Sequence, residues 1–195
     1  MPTPNPRSFM LHRALLAGVA ALLVGLALLT ARNAAADGGP QVGAPAPSFS
    51  LPDQTGTKHN LADYKGKWLV LYFYPKDGTP GCTTEACEFR DNIFAFRDQG
   101  VVVLGISLDD VDSHKKFATE QHLPFPLLSD ASKDVARQYG VLAKFAGLMD
   151  YTKRETFVID PQGRIAKHYV DVDPKDHSKT VLADIKALKA AAPKS

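Results

Sequence analysis

Residues 68–100 read WLVLYFYPKDGTPGCTTEACEFRDNIFAFRDQG, and this stretch indicates the fold of the chain. An unbroken apolar run rich in β-forming residues occupies 68–74, as is typical of a strand buried on both faces. A Gly/Pro-rich loop follows at 75–81. Apolar residues then recur at spacings of three and four, which predicts an amphipathic helix over 83–99, ended by Gly100.

The rest of the chain continues this alternation of strands and helices. The patterns predict, in order, a strand at 101–107, a polar helix at about 112–122, a short strand at 125–128, a helix from Ser129–Asp130 to Gly140, a hairpin of 156–160 with 164–170, and a last helix capped by Ser178. This order predicts a three-layer α/β domain, with a central mixed β-sheet flanked by helices, over about residues 42–192.

The N-terminal 36 residues have the features of a targeting segment. Basic residues precede an uncharged run at 14–31, and three alanines follow at 34–36 as a small-residue cleavage site. We therefore expect 1–36 to be a secretory signal peptide, 37–47 to be a linker, and the protein to be exported, to the periplasm. The alternative is an uncleaved leader that anchors the protein to the membrane through residues 14–31.

The overall charge argues against a nucleic-acid-binding protein. Cleavage after Ala36 would remove three of the 23 basic residues and none of the 21 acidic ones, which changes the formal net charge from +2 to −1. The high isoelectric point therefore belongs largely to the leader, and polyanions are not expected partners.

Both cysteines of the chain lie in the loop and helix described first. Cys82 falls in or beside the first turn of the predicted helix, where unpaired N–H groups and the positive end of the helix dipole favour an anion. A thiolate is favoured at such a place, so Cys82 is a candidate nucleophile.

Cys87 follows Cys82 at a spacing that an intact helix does not allow to form a disulfide. Residues five apart in a helix have Cα atoms roughly 8 to 9 Å apart, beyond the limit of about 7 Å for a bridge. A disulfide between the two cysteines would require the helix to unwind, so the pair fits a reversible redox switch better than a permanent structural bridge. A static bridge remains the alternative in an exported protein. The spacing does not suit zinc, and no CxxC motif is present.

Several other polar residues are expected to have structural rather than functional roles. The aspartates at 109, 110 and 112 lack the spacing of a calcium loop and are expected to cap the helix that follows them. His114 and His122 are expected to face solvent.

The segments FYPKDGTPGCTTEACEFRD, GISLDD, SHKKFA, LPFPLLSD and RETFVID closely resemble those of peroxiredoxins. They are most similar to the Q-type, or bacterioferritin co-migratory protein, subfamily, and the resemblance runs from about residue 42 to the last helix. The motif Pro-x-x-x-Thr-x-x-Cys is present as Pro75, Thr79 and Cys82. The resemblance implies a thioredoxin-like fold and a thiol peroxidase that reduces hydrogen peroxide and organic hydroperoxides without a metal or organic cofactor.

The same resemblance implies roles for individual residues. Cys82 would be the peroxidatic nucleophile, Thr79 would hydrogen-bond the peroxide, and Pro75 would shield the pocket. Arg154 would keep the sulfur anionic, and Cys87 would be the resolving cysteine that forms a disulfide with Cys82. A thioredoxin-like protein would reduce this disulfide, and the enzyme would be a monomer.

Two further features concern the rim of the pocket and an alternative function. Residues 143–151, AKFAGLMDY, depart from the subfamily pattern and leave the rim of the pocket undefined. A non-catalytic exported domain for binding or holding other proteins, with a permanent disulfide, is the alternative function.

Overall fold

A computed structural model describes residues 38–191 of the chain. The predicted signal peptide or anchor at 1–36 lies outside the described residues. Among the described helices, none is both long and apolar enough to span a bilayer.

A five-stranded mixed sheet forms the centre of the domain, in the order β5-β4-β3-β8-β9. Its strands are β3 (Trp68–Phe73), β4 (Val101–Ser107), β5 (Leu127–Ser129), β8 (Glu155–Ile159) and β9 (Ile165–Tyr169). Strands β3, β4 and β5 run parallel, whereas β8 is antiparallel to both β3 and β9. This arrangement confirms the predicted mixed sheet and the predicted C-terminal hairpin.

Helices cover the sheet on both sides. They are α1 (Pro80–Asp91), α2 (Ile93–Asp98), α3 (Val111–Glu120), α4 (Asp134–Gln138) and α5 (His177–Ala191), with a 3-10 turn at Leu61–Tyr64. Alternate residues of β3 enter two separate apolar cores. Val70 and Tyr72 pack in the core that includes α1, α2 and α5, whereas Leu71 and Phe73 pack in the core that includes α4. Strand β3 is therefore the buried centre of a three-layer α/β domain, as its sequence predicts.

The long helix predicted over 83–99 is instead two helices separated at Asn92. The side chain of Asn92 donates to the backbone oxygen of Glu88 and to the hydroxyl of Ser178, both at 3.0 Å. The single-helix prediction is wrong because this long-range contact to α5 stabilises a turn within a continuous apolar pattern. The first helix also begins earlier than predicted, with Pro80 at its first position, where the missing N–H costs nothing.

Ser178 does not cap the last helix as predicted. Helix α5 begins at His177, and the hydroxyl of Ser178 donates to Glu88 Oε2 at 3.3 Å. This residue therefore serves the contact between α5 and α1. Asp110 does cap α3, since its side chain accepts from the backbone N–H of Ser113 at 2.8 Å.

Two hairpins lie outside the central sheet and were not predicted. One pairs β1 (Ser50–Pro52) with β2 (Lys58–Asn60), and the other pairs β6 (Leu142–Phe145) with β7 (Met149–Thr152). The second contains the 143–151 segment. Its turn has positive φ at Ala146 and Gly147, which produces the tight reversal.

Candidate active site

Cys82 is the third residue of α1 and lies at the end of the loop that follows β3. Its side chain is almost completely buried, with 1% of the residue exposed. The first turn of a helix presents N–H groups that have no partner within the helix. The fold therefore places the sulfur in the environment that the sequence predicts, beside the positive end of the α1 dipole.

Arg154 reaches the same sulfur from the other end of the sequence. Its Nη2 donates to Cys82 Sγ at 3.3 Å. The antiparallel register of β3 and β8, which pairs Phe73 with Glu155, brings the start of β8 next to the end of β3. Two residues 72 positions apart thus meet because the central strands pair in this register, and a positively charged group lies beside the sulfur.

Glu85 is part of this site and was missed by the sequence reasoning. It is completely buried, and its Oε2 accepts from Arg154 Nη1 in an ion pair. Burial raises the pKa of Glu85 to about 7, against the opposing effect of Arg154. Its position three residues after Cys82 puts both side chains on one side of α1. The sequence did contain a sign of its role, because this acidic residue lies on the helix face that also carries buried Ala86 and Phe89.

The forked guanidinium of Arg154 therefore contacts two acidic side chains at once. One arm is on the Glu85 carboxylate and the other is on the Cys82 sulfur. A lysine has no second arm, so an arginine suits this position. Gly81 provides the room, because a Cβ at that position would lie 3.1 Å from Arg154 Nη2.

A neighbouring histidine adds no positive charge to this site. His177 is buried, and its ring Nε2 lies 2.9 Å from the hydroxyl of Thr156. Burial, assisted by Arg154, lowers the pKa of His177 to about 4. The imidazole is therefore neutral at neutral pH.

Thr79 and Pro75 lie on the loop that leads into α1. Thr79 occupies the N-cap position, yet its side chain makes no capping hydrogen bond. Its hydroxyl donates to the backbone oxygen of Lys76 at 3.0 Å, so the oxygen lone pairs stay free to accept another donor. Pro75 is half-buried and directly follows Tyr74 at the end of β3.

Cys87 is separated from Cys82 by the body of α1. Both cysteines are free thiols in this structure. Residues five apart project about 140° apart around a helix axis, so the two side chains leave α1 in different directions. The thiol of Cys87 is half-buried and donates to Gln121 Oε1 at 3.7 Å.

A buried polar network supports the active-site loop from behind. Asp77 Oδ2 lies 2.8 Å from His114 Nδ1 and accepts from Ser113 Oγ at 2.8 Å. Its Oδ1 accepts from the hydroxyl of Tyr74 at 2.8 Å, and its backbone N–H donates to Asp109. This network ties the loop to the start of α3.

The prediction that His114 faces solvent is wrong, because its side chain is completely buried against Asp77. The sequence of α3 is polar overall, so it gave no sign that His114 points inward to the loop that carries Asp77. His122 is exposed, as predicted. Within residues 38–191, no group of three or more histidine, cysteine, aspartate or glutamate side chains is arranged to hold a metal.

Comparison with known proteins places this geometry in a family. Residues 42–168 match the AhpC/TSA family. The chain is 43% identical over 152 residues to peroxiredoxin Bcp of Bacillus subtilis, covering 76% of this chain and 96% of the relative. The chain is a peroxiredoxin. The putative peroxiredoxin Q of Oryza sativa subsp. indica chloroplasts is 41% identical over 160 residues, covering 82% and 73% of the two chains.

Solved structures agree with the Bcp and Q assignment of this peroxiredoxin. Peroxiredoxin Q of Xanthomonas campestris superposes with a TM-score of 0.68 at 36% identity, over 71% of this chain and 90% of that one. Peroxidoxin BcpB of Mycobacterium tuberculosis gives a TM-score of 0.71 at 38% identity, over 78% and 99%. A Xanthomonas campestris bacterioferritin comigratory protein, 37% identical with a TM-score of 0.68 over 71% and 90%, is described with alkyl peroxide reduction activity. The fold is thus thioredoxin-like, and the family supports a peroxidase that uses a thiol reductant.

Proposed function

We propose that this peroxiredoxin reduces hydrogen peroxide and organic hydroperoxides through Cys82, and that Cys87 then forms a disulfide with it. The contact of 3.3 Å between Arg154 Nη2 and Cys82 Sγ, at the start of α1, carries this proposal. It stabilises the thiolate that a nucleophilic attack on an O–O bond requires. Alkyl peroxide reduction by the Xanthomonas campestris relative supports organic hydroperoxides as substrates.

In the first step the Cys82 thiolate attacks one peroxide oxygen. The S–O bond forms as the O–O bond breaks, and the departing alkoxide takes up a proton and leaves as an alcohol, or as water from hydrogen peroxide. Arg154 supports the charge that develops on the leaving oxygen, and the hydroxyl of Thr79 hydrogen-bonds the peroxide. Pro75 limits access of water. The product on the enzyme is Cys82 sulfenic acid.

In the second step the thiol of Cys87 attacks the sulfenic sulfur. The S–S bond forms as the S–O bond breaks, and water leaves. Because the two side chains leave α1 in different directions, this step requires the first turns of the helix to unwind. Unwinding breaks several backbone hydrogen bonds of about 1 kcal/mol each, and this cost is small enough for the unwound helix to form transiently.

A thioredoxin-like dithiol protein completes the cycle. One of its thiolates attacks the Cys82–Cys87 disulfide, and its second thiol releases the two cysteines while forming a disulfide in the donor. We further propose that this cycle operates outside the cytoplasm, in the periplasm, on the basis of the leader at 1–36 and its cleavage site.

Two single-cysteine variants test the proposal. Cys82→Ser should abolish peroxide turnover with a thioredoxin-type donor. Cys87→Ser should reduce one equivalent of peroxide and stop as a sulfenic acid that a dimedone-type reagent traps. Full turnover by Cys82→Ser would reject the assignment of the nucleophile, and full turnover by Cys87→Ser with the same dithiol donor would reject the assignment of the resolving thiol.

The same experiment distinguishes the proposed peroxidase from the binding or holding function. That alternative requires a permanent bridge and an inert thiol. Oxidised protein that resists the donor, together with reduced protein that does not consume peroxide, would favour it.

A further inference from the structure

Gln121 is linked to α1 through two residues, Cys87 and Arg90. Gln121 is the C-cap of α3 and directly follows its last residue, Glu120. Its side-chain Oε1 accepts from Cys87 Sγ at 3.7 Å, and its backbone oxygen accepts from Arg90 Nη1 at 2.8 Å. The C-cap residue of α3 therefore receives two contacts from α1.

The two donors lie on the same part of α1. Cys87 and Arg90 are three positions apart, which puts them on one side of the helix and within about one turn. The pKa of Arg90 is raised, chiefly by its hydrogen bond to Asp91 and further by the neighbouring Cys87.

We propose that Arg90 and Gln121 form a latch that holds Cys87 away from Cys82, and that this latch sets how fast the disulfide forms. The inference rests on the proposed role of Cys87. Cys87 must leave Gln121 before its sulfur can approach Cys82 on a different side of α1. Arg90 lies three residues after Cys87 on the same side of α1, so its bond to the Gln121 backbone holds that side of the helix against the end of α3 and opposes the unwinding that frees Cys87.

The latch matters because the sulfenic acid has two fates. It condenses with Cys87 and loses water, or a second peroxide adds an oxygen and gives a sulfinic acid. A firmly held Cys87 lengthens the life of the sulfenic acid and raises the share that becomes sulfinic. Arg90 and Gln121 are positioning residues in this account, since neither touches the reacting oxygen.

Two substitutions weaken the latch by separate contacts. Arg90→Met removes the bond to the Gln121 backbone while keeping an apolar stem, and Gln121→Met removes the acceptor of the Cys87 thiol. A matched control is Arg97→Met, because Arg97 Nη2 makes a similar bond of 2.7 Å from α2 to the backbone of Pro124. Arg97 lies beyond the break at Asn92, away from both thiols.

The measurement is rapid mixing of reduced protein with excess hydrogen peroxide, followed by acid quenching and intact-mass analysis. The ratio of disulfide to sulfinic acid should rise about fivefold in Arg90→Met and in Gln121→Met, as expected for the loss of one hydrogen bond. Arg97→Met should keep the wild-type ratio. Hydrogen exchange of the α1 amides should speed up in Arg90→Met, and its melting temperature should resemble that of Arg97→Met.

Other outcomes separate this inference from the proposed function. If wild-type protein forms the disulfide and Arg90→Met gives the same ratio as Arg97→Met, or a lower one, the latch is rejected and the role of Cys87 stands. If wild-type protein forms no disulfide, the proposed function fails first and the latch fails with it.

Discussion

Glu85 and Arg154 form an ion pair inside the domain, in which Glu85 is completely buried and Arg154 keeps 16% of its side chain exposed. The free arm of the same guanidinium contacts Cys82. Removing one partner of a buried pair leaves an uncompensated charge, which is strongly destabilising. We therefore expect substitutions of Arg154 to affect both the stability of the protein and the reactivity of Cys82, and experiments on this site have to separate the two effects.

Arg154→Met should lower the rate of reaction between Cys82 and hydrogen peroxide by about 10² to 10³, the effect typical of losing one preorganised donor. Arg154→Lys should recover part of the rate, because it restores a positive charge but not the fork. Stopped-flow measurement of single-turnover peroxide reduction gives these rates. Lys153 provides the control. Its side chain is half exposed and its Nζ lies 3.9 Å from Glu155 Oε1, so Lys153→Met should change the rate less than twofold.

A double variant distinguishes chemistry from folding. Arg154→Met combined with Glu85→Gln removes both charges, so it should recover stability relative to Arg154→Met alone while remaining slow with peroxide. Recovery of the rate along with the stability would mean that Arg154 acts only by keeping the protein folded.

Glu85 should make the stability of the protein depend on pH. Its pKa rises from the ordinary 4.5 to about 7 on folding, chiefly through burial. The folded protein then binds the proton more tightly than the unfolded chain, so stability falls as the pH rises from about 4.5 to about 7 and stays lower above that range. The full change is on the order of 2 to 4 kcal/mol.

Melting temperatures check this effect. They are measured for wild type and Glu85→Gln between about pH 5 and pH 8, which is about the range between the unfolded and folded pKa of Glu85. The wild-type melting temperature should fall relative to that of Glu85→Gln as the pH increases, because glutamine carries no titrating proton. Parallel curves would contradict a raised pKa at Glu85.

Asp77→Ala should destabilise the protein by about 3 kcal/mol, because it leaves the hydroxyl of Tyr74 and the ring of buried His114 without their acceptor. It should also slow the reaction with peroxide, since Asp77 ties the loop before Cys82 to α3. Urea unfolding and stopped-flow rates give the two effects. The matched substitution Asp98→Ala, at an exposed position ending α2, should change stability by less than about 0.5 kcal/mol. Equal effects of the two variants would exclude a supporting role for the network.

The elements around Cys82 were predictable because they follow from local chemistry. The apolar run ending at Tyr74, the Gly/Pro loop and the helix periodicity define a strand, a turn and a helix start without reference to the rest of the chain. The prediction that Arg154 lies near Cys82 came from the family resemblance. The register of β3 with β8 gives the physical reason for this proximity.

The features that were missed depend on contacts between distant segments. Glu85 is buried because Arg154, 69 positions later, supplies its counter-charge. The helix break at Asn92 depends on Ser178, 86 positions later, and the burial of His114 depends on Asp77, 37 positions earlier. Residue patterns report periodicity along one element, and they carry little information on which polar partner lies across the core.

Intact-mass analysis of the reduced protein before and after one equivalent of hydrogen peroxide tests the central claim most directly. The account predicts a loss of about 2 Da, the two hydrogens removed when Cys82 and Cys87 join, with both residues in one bridged peptide on digestion. An unchanged mass with two thiols that still react with an alkylating reagent would contradict it.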